Sequence, residues 1–255
     1  MGRGSSDGSV AAATTRFESE RLEVQELLSQ EPLRSHRVEM VCLSGSRAYG
    51  MANENSDTDY RGLYTAPLSQ LLGVNKPKEQ LEREDPDLVI FELSKFCKLA
   101  ASANPNVLEL LWSPVLHSSP LASQLLSNRD LFLSQLVRRT YSGFANSQLR
   151  QMKALTMKPQ DQQRPEKQIK FARHLFRLME QGRMLLATGE MNVRVADPEK
   201  LLQLSASPIE EIEQAFTEMD TEIHSIKSPL PEQVDFESIN QLLVELRLEA
   251  AARVS

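Results

Sequence analysis

The sequence has few of the residues that characterise secreted, membrane-spanning or zinc-binding proteins. Its 255 residues include two cysteines, Cys42 and Cys97, and no Cys and His spacing typical of a zinc site. Two cysteines in apolar stretches indicate buried reduced thiols, so we expect a reducing, cytoplasmic compartment. No apolar run approaches the roughly 18 residues of a membrane-spanning helix. We therefore expect no membrane partner.

Aromatic residues and positive net charge are also scarce. The 5% aromatic content does not indicate an RNA-stacking platform, and the net charge of −6 argues against a general nucleic-acid coat protein. Residues 134–189 nevertheless contain eleven Lys and Arg against three acidic residues, whereas residues 190–255 contain fourteen acidic residues against five basic ones. The basic block either faces an anion, contacts an acidic partner surface or the acidic tail, or forms a solvated helix surface.

The distribution of apolar residues predicts an α/β (α+β) chain with a helical C-terminal region. Strand-like runs cover residues 38–43, 57–64 and 88–91, and the polar, proline-containing segment 73–86 is interpreted as a loop. We predict a disordered leader at 1–16, a catalytic domain at 17–130 and a helical domain at 131–255. The apolar last helix, from 235 to 253, forms either part of the core or a homodimer surface.

The most specific motif is a Gly-Ser turn followed by two aspartates. Gly45 and Ser46 come directly after an apolar strand, and Asp57 and Asp59 enter the next one. Because residues i and i+2 of a strand project from the same face, we expect the two carboxylates side by side. Paired carboxylates suit Mg²⁺ that holds the phosphates of a nucleotide, and backbone N–H groups of the turn can bind the same phosphates. The motif predicts phosphoryl or nucleotidyl transfer.

The combined pattern of Gly45-Ser46 and Asp57-Thr58-Asp59 resembles the signature of the DNA polymerase β nucleotidyltransferase superfamily. The longer strings 45–50 and 56–64 are similar to the YcgL-type branch, which includes nucleotidyltransferases associated with RNA-repair pathways. Residues 91–96 and 104–112 match as well, as does a later helix that contains Lys170, His174 and Arg177. The resemblance covers residues 38–195.

The resemblance implies a small mixed sheet that carries the site and a transferase of the EC 2.7.7 type. Such an enzyme moves a nucleoside monophosphate from an NTP, with ATP as the expected donor, to an acceptor hydroxyl such as an RNA end, and releases pyrophosphate. Gly45 and Ser46 would contact the triphosphate, and Asp57, Asp59 and a third carboxylate would bind two Mg²⁺ ions. The rival functions are adenylylation of a protein partner and a non-catalytic nucleotide-binding scaffold.

The third carboxylate has more than one candidate. Asp87 opens the third strand-like run, a placement that suits the superfamily, and we favour it as a catalytic residue and metal ligand. Glu92 closes the same run and, five residues away, points to the opposite face, so at most one of the two faces the site. Asp85 is also close, but its direction in the loop cannot be predicted. The competing interpretation of Asp87 is a turn residue after Pro86.

Basic residues near the motif complete the predicted nucleotide site. Arg61, two residues beyond Asp59, shares its face and either neutralises phosphate charge or orients an aspartate. Arg47 flanks the same motif, and Lys95 begins a helix one strand away. A row of basic residues on one helix stripe suits a triphosphate or an RNA backbone: Lys167, Lys170, His174 and Arg177, at spacings of three, four and three.

Overall fold

The computed structural model describes residues 6–53, 56–156 and 164–253, and these form a five-stranded mixed sheet surrounded by helices. The strands are β1 Arg37–Ser44, β2 Asp59–Thr65, β3 Gln80–Arg83, β4 Asp87–Glu92 and β5 Val115–Ser118. The helices are α1 Ser6–Leu28, α2 Gly45–Tyr49, α3 Leu68–Leu72, α4 Leu93–Ala101, α5 Pro105–Leu108, α6 Pro120–Ser127, α7 Leu136–Thr156, α8 Arg164–Thr188, α9 Pro198–Ser205, α10 Ile209–Ser225 and α11 Phe236–Ala252. Two 3₁₀ turns cover Glu109–Leu111 and Arg129–Phe132. The predicted α/β class with a helical C-terminal region is confirmed.

The strands are arranged in the order β3-β4-β2-β1-β5. β2 pairs antiparallel with β1 and parallel with β4, whereas β3 and β5 pair antiparallel with their neighbours. The sheet is therefore mixed, as expected. The parallel register places Asp59 opposite Asp87 at the first residue of each strand. Two aspartates that are 28 positions apart in the chain thus become neighbours at one end of the sheet.

One strand begins later than predicted, and two edge strands were not predicted. The strand predicted at 57–64 begins at Asp59, because the carbonyls of Ser56 and Asp57 accept hydrogen bonds from the Arg47 guanidinium at 2.6 and 3.1 Å instead of pairing in the sheet. Within the predicted loop 73–86, residues 80–83 form the edge strand β3, whose polar composition hides its pairing with β4. The edge strand β5 was not predicted, because four residues are too few for a clear alternation.

The predicted disordered leader is wrong for residues 6–16, which belong to helix α1. The physical reason lies in the run Ala11-Ala12-Ala13, because alanine has the highest helix propensity of all residues. The remainder of the predicted leader, residues 1–5, lies outside the described residues. Further along α1, Val24 and Leu27 are buried against the sheet, in a cluster that includes Val41 and Tyr60.

A second and larger apolar cluster joins the sheet to the C-terminal helices. It contains Met40 and Leu63 from the sheet together with Leu175 of α8 and Leu246 of α11. Apolar packing therefore continues across the predicted domain boundary at 130/131, and that division stays a prediction. Leu242 and Leu246 of α11 are core residues, and the homodimer also stays a prediction.

Both cysteines are free and buried, as predicted, and burial raises the pKa of each thiol to about 12. Such thiols remain protonated and unreactive at physiological pH. None of the helices in the described ranges combines the length and the apolar character that crossing a membrane requires.

Candidate active site

The Gly-Ser turn is located at the point where β1 ends and the short helix α2 begins. Gly45 has a φ of +63°, in the left-handed region that glycine adopts at little cost. An ideal Cβ placed on this residue would lie 1.8 Å from Oδ2 of Asp59. Glycine is therefore required twice at this position, for its backbone conformation and for the approach of the Asp59 carboxylate to the main chain.

Asp59 and Asp87 form a carboxyl pair at the adjacent ends of β2 and β4. The register of β2 and β4 makes the two residues direct neighbours, so that their carboxyl groups interact. Burial raises the pKa of Asp59, and the neighbouring Asp87 carboxyl raises it further against the opposing charges of Arg61 and Lys170. The pKa of Asp87 is lowered, mainly by its hydrogen bond with Arg61. The two neighbouring carboxyl groups therefore differ in proton affinity, which is higher at Asp59 than at Asp87.

Arg61 shares the face of the aspartates, as predicted from its spacing, and its contacts are with Asp87. Its Nη2 lies 2.8 Å from Oδ2 of Asp87, and its Nη1 donates to the main-chain oxygen of the same residue at 3.2 Å. Glu92, at the other end of β4, is buried elsewhere. Its carboxylate accepts a hydrogen bond from Arg247 of α11 at 2.8 Å and caps α4 through the N–H of Ser94 at 2.7 Å. Asp87, and not Glu92, is therefore the β4 carboxylate next to Asp59.

A cavity of about 640 Å³ opens beside this carboxyl pair, between the Gly-Ser turn and helices α7 and α8. Asp59 lines it together with Asp57, whose side chain is exposed. The wall opposite contains Lys170, which is exposed and acts electrostatically on both Asp59 and Asp87. The lining residues are Gly45, Ser46, Tyr49, Met51, Asn53, Ser56, Asp57, Asp59, Gln148, Lys170, Phe171, Arg173, His174 and Arg177. This volume is within the range of small-molecule sites and accommodates a nucleotide.

Four of the predicted site residues outside α8 do not line this cavity. Arg47 fastens the loop before β2 through the carbonyls of Ser56 and Asp57, and it also lies 3.6 Å from Glu20 of α1. Lys95 binds Gln80 at 2.8 Å and Glu79 at 3.1 Å, beside the edge strand. Arg61 and Asp87 do not line the cavity, and both act electrostatically on Asp59. Arg47 and Lys95 therefore stabilise the structure around the site. Arg61 and Asp87 act on the site through Asp59.

The basic row on α8 divides into members with different environments. Arg177 is 2% exposed, and its Nη1 lies 2.7 Å from Oε2 of Glu109. Its guanidinium also lies 3.9 Å from the ring centroid of Tyr49. The Tyr49 hydroxyl donates to the other oxygen of Glu109 at 2.6 Å. Arg177 is therefore neutralised by protein groups, and Lys170 supplies positive charge to the cavity.

Sequence reasoning missed Glu109, and with it the connection that holds the site together. This buried carboxylate joins Tyr49 on α2 to Arg177 on α8, so that the Gly-Ser turn is attached to the C-terminal helices. The available signal was a single glutamate within the apolar segment 107–112, since a buried acid requires a charged partner. Arg173 and Gln148 were also missed as lining residues.

The carboxyl pair fits a divalent cation. Asp59 and Asp87 provide two adjacent carboxylates, the hard oxygen ligands that a divalent cation prefers. Asp57 lines the same cavity and could supply a third ligand. Among the residues that the structure describes, no group of three or more His, Cys, Asp or Glu side chains already converges as a metal site.

The strand order, the Gly-Ser turn and the adjacent carboxylates are typical of a nucleotidyltransferase-like fold. A family model named RlaP, the RNA repair pathway DNA polymerase beta family, matches residues 20–245, and the chain belongs to this family. The resemblance to the polymerase β superfamily and to its RNA-repair branch, inferred from the motifs, is therefore confirmed.

Comparison with solved structures gives a remote similarity. A nucleotidyltransferase-like protein from Exiguobacterium sibiricum 255-15 is 11% identical, with a TM-score of 0.32, over 92% of this chain and 80% of that one. No curated protein matches the sequence.

Proposed function

We propose that this protein transfers a nucleoside monophosphate from an NTP, with ATP as the donor, to a hydroxyl group at an RNA end. The observation that carries the proposal is the Asp59–Asp87 pair, which lies against Gly45 at the edge of a nucleotide-sized cavity. Family membership supports the reaction type, and the name of the family supports RNA as the acceptor.

The charges around the cavity suit a triphosphate. Lys170 is exposed and unneutralised by any hydrogen bond or ion pair within the described ranges, and Arg173 lies on the same wall. These two side chains would bind phosphate oxygens opposite the aspartates. The main-chain N–H groups at Gly45 and Ser46 provide further donors on the other wall. Positive charge on one side and carboxylates on the other would orient the triphosphate along the cavity.

Asp57, Asp59 and Asp87 would hold Mg²⁺, two ions in the arrangement that the resemblance implies. When bound, Mg²⁺ would neutralise phosphate charge and lower the pKa of the acceptor hydroxyl. Asp87 lies next to Asp59 and is the third carboxylate to which the resemblance assigns activation of the acceptor hydroxyl, so it would accept the proton of that hydroxyl. The hydroxyl oxygen forms a bond to the α-phosphorus, and the bond from this phosphorus to the bridging oxygen breaks, so that pyrophosphate leaves with its electron pair.

The test is nucleotide transfer by the full chain. The protein is incubated with each α-³²P-labelled NTP and Mg²⁺, with RNA oligonucleotides that carry free or blocked 3′ ends and, separately, with a mixture of proteins. Asp59→Asn is the critical variant, because it removes a carboxylate and keeps the size of the side chain. Asp130→Asn is the matched control, since Asp130 is exposed and does not line the cavity.

Label on the RNA, lost with Asp59→Asn and with EDTA but kept with Asp130→Asn, is the expected result. Label on protein instead of RNA would show that the acceptor is a protein, and would support protein adenylylation. Nucleotide binding without transfer to any acceptor would support a non-catalytic scaffold. RNA binding should also weaken steeply with salt if the basic residues of α7 and α8 contact its backbone.

A further inference from the structure

His174 lies on α8 among the residues that line the cavity, and its ring has a defined partner. Nη2 of Arg177 lies 3.4 Å from Nδ1 of His174, in hydrogen-bonding geometry. A guanidinium donates hydrogen bonds and accepts none. Nδ1 must therefore be the acceptor and carries no proton. A neutral His174 ring consequently has its single proton on Nε2.

Other contacts fix the position of the Arg177 guanidinium, and this position determines the tautomer of His174. Its Nη1 donates to Glu109 at 2.7 Å and to Gln181 at 3.3 Å, and its guanidinium stacks on Tyr49 at 3.9 Å. These three contacts leave the guanidinium no alternative position away from Nδ1. The tautomer of His174 is therefore set by buried structure and not by solvent.

The surroundings of His174 also keep the ring uncharged. Burial, and after it the positive charges of Arg177 and Lys170, lower its pKa to about 3. The buried carboxylate of Glu109, the other partner of Arg177, is already bound to Arg177 and Tyr49. Asp59 lies on the opposite wall of the cavity and pairs with Asp87. His174 therefore differs from Lys170 in offering a hydrogen-bond donor without a charge.

We propose that His174 is a specificity-determining residue that donates its Nε2–H to an acceptor atom on the ribose or base of the bound NTP. This inference rests on the proposed function, because it requires a nucleotide in the cavity. The charged phosphates would be bound by Lys170 and Arg173 instead. A neutral donor suits the uncharged part of the nucleotide, since such a group discriminates by the position of an acceptor atom and not by charge.

The first test reads the tautomer without any activity. The chain contains four histidines, so long-range ¹H–¹⁵N spectra show four imidazole patterns, and His174→Gln identifies one of them by its loss. We expect a neutral ring, protonated on Nε2, with no change between pH 5.5 and pH 8. A ring that is charged at pH 5.5, or that carries its proton on Nδ1, would overturn the inference.

The second test measures binding of an ATP analogue with a methylene group between the α- and β-phosphorus atoms, in the presence of Mg²⁺. His174→Leu removes the donor and should weaken binding about three- to tenfold, the effect of one hydrogen bond. His174→Gln, whose amide N–H can occupy the place of Nε2–H, should restore most of the affinity. His224→Leu is the matched control, because His224 is exposed on α10 and does not line the cavity.

The same titration with the 2′-deoxy analogue separates the two sources of the acceptor atom. If the ribose 2′-hydroxyl is the acceptor, His174→Leu will no longer weaken binding of the deoxy analogue, and if the base is the acceptor, the loss will persist. Equal affinity of wild type and His174→Leu for both analogues would overturn the inference and leave the proposed function intact. Failure of the wild-type protein to bind any nucleotide would overturn both, whatever the spectra show.

Discussion

Two arginine–carboxylate pairs of almost equal length lie on either side of the Gly-Ser turn, and they differ in exposure. Arg61 and Asp87 approach to 2.8 Å with side chains 23% and 47% exposed, whereas Arg177 and Glu109 approach to 2.7 Å with side chains 2% and 1% exposed. Water screens the first pair and not the second. The first pair can therefore separate at a lower cost, and the second fixes the positions of the elements that it joins.

The buried pair and the exposed pair are both connected to helix α2, at opposite ends of it. Glu109 binds Tyr49 at the end of α2, and Gly45 at the beginning of α2 lies against Asp59. One short helix thus contacts a titrating carboxylate at its first residue and a permanent ion pair at its last. The exposed pair and the buried pair should therefore respond differently when one partner is removed.

The largest effect is expected from Gly45→Ala. The added methyl group would displace the Asp59 carboxylate from a position 1.8 Å away, and φ at +63° strains any residue that has a Cβ. Since a displacement of about 1 Å can reduce the rate about a hundredfold, transfer should fall by at least that factor. Steady-state kinetics measure it. Gly143→Ala, in α7 with open space around it, is the control and should keep full activity.

A large loss of stability is expected from Arg177→Met. This change leaves the Glu109 carboxylate buried without its charged partner, which costs about 3–5 kcal/mol in the free energy of unfolding. Denaturant titration measures the loss. The double variant Glu109→Leu/Arg177→Met removes both charges and should recover a large part of the stability. Equal destabilisation in the single and double variants would show that the charges are not the cause.

Asp59→Asn should raise stability at neutral pH while it removes activity. The folded-state pKa of Asp59 is raised, so ionising this group costs stability as the pH rises through that pKa, and asparagine avoids the cost. The lowered pKa of Asp87 acts in the opposite sense, because its contribution is present above the unfolded-state pKa and is lost as pH falls. Unfolding curves of the wild type and of Asp59→Asn at pH 5 and pH 8 measure whether the variant gains stability relative to the wild type as the pH rises. A variant less stable than wild type at pH 8 would contradict it.

The smallest effect is expected from Arg61→Gln, which breaks the exposed pair. Partly exposed ion pairs contribute about 0–1 kcal/mol, so the free energy of unfolding should change by no more than that. The same denaturant titration compares it directly with Arg177→Met. A loss as large as that of the buried pair would remove the distinction between the two.

The contrast also shows which parts of the site can be predicted from the sequence. Gly45 and Asp59 are recognisable because their spacing along two strands is local, and Asp87 because it opens a strand. The parallel pairing of β2 with β4, which brings Asp59 and Asp87 together, depends on the order of strands in the sheet and has no local signal.

Arg177 illustrates the opposite case. Its spacing from Lys170 and His174 is helical and correctly predicts a shared stripe, but its partner Glu109 lies 68 residues earlier in the chain. Periodicity reports the face of a helix and not what covers that face. The prediction that this row binds a triphosphate or an RNA backbone did not identify Glu109 as the partner of Arg177.

The sheet ends on both sides in strands of four residues, β3 and β5. β3 carries Glu82 and Arg83, and helix α1 packs close to β5. Short, charged or covered edges offer few free backbone groups to the strand of another chain. The architecture that places a reactive carboxyl pair at the end of two central strands thus also protects the sheet against edge-to-edge aggregation.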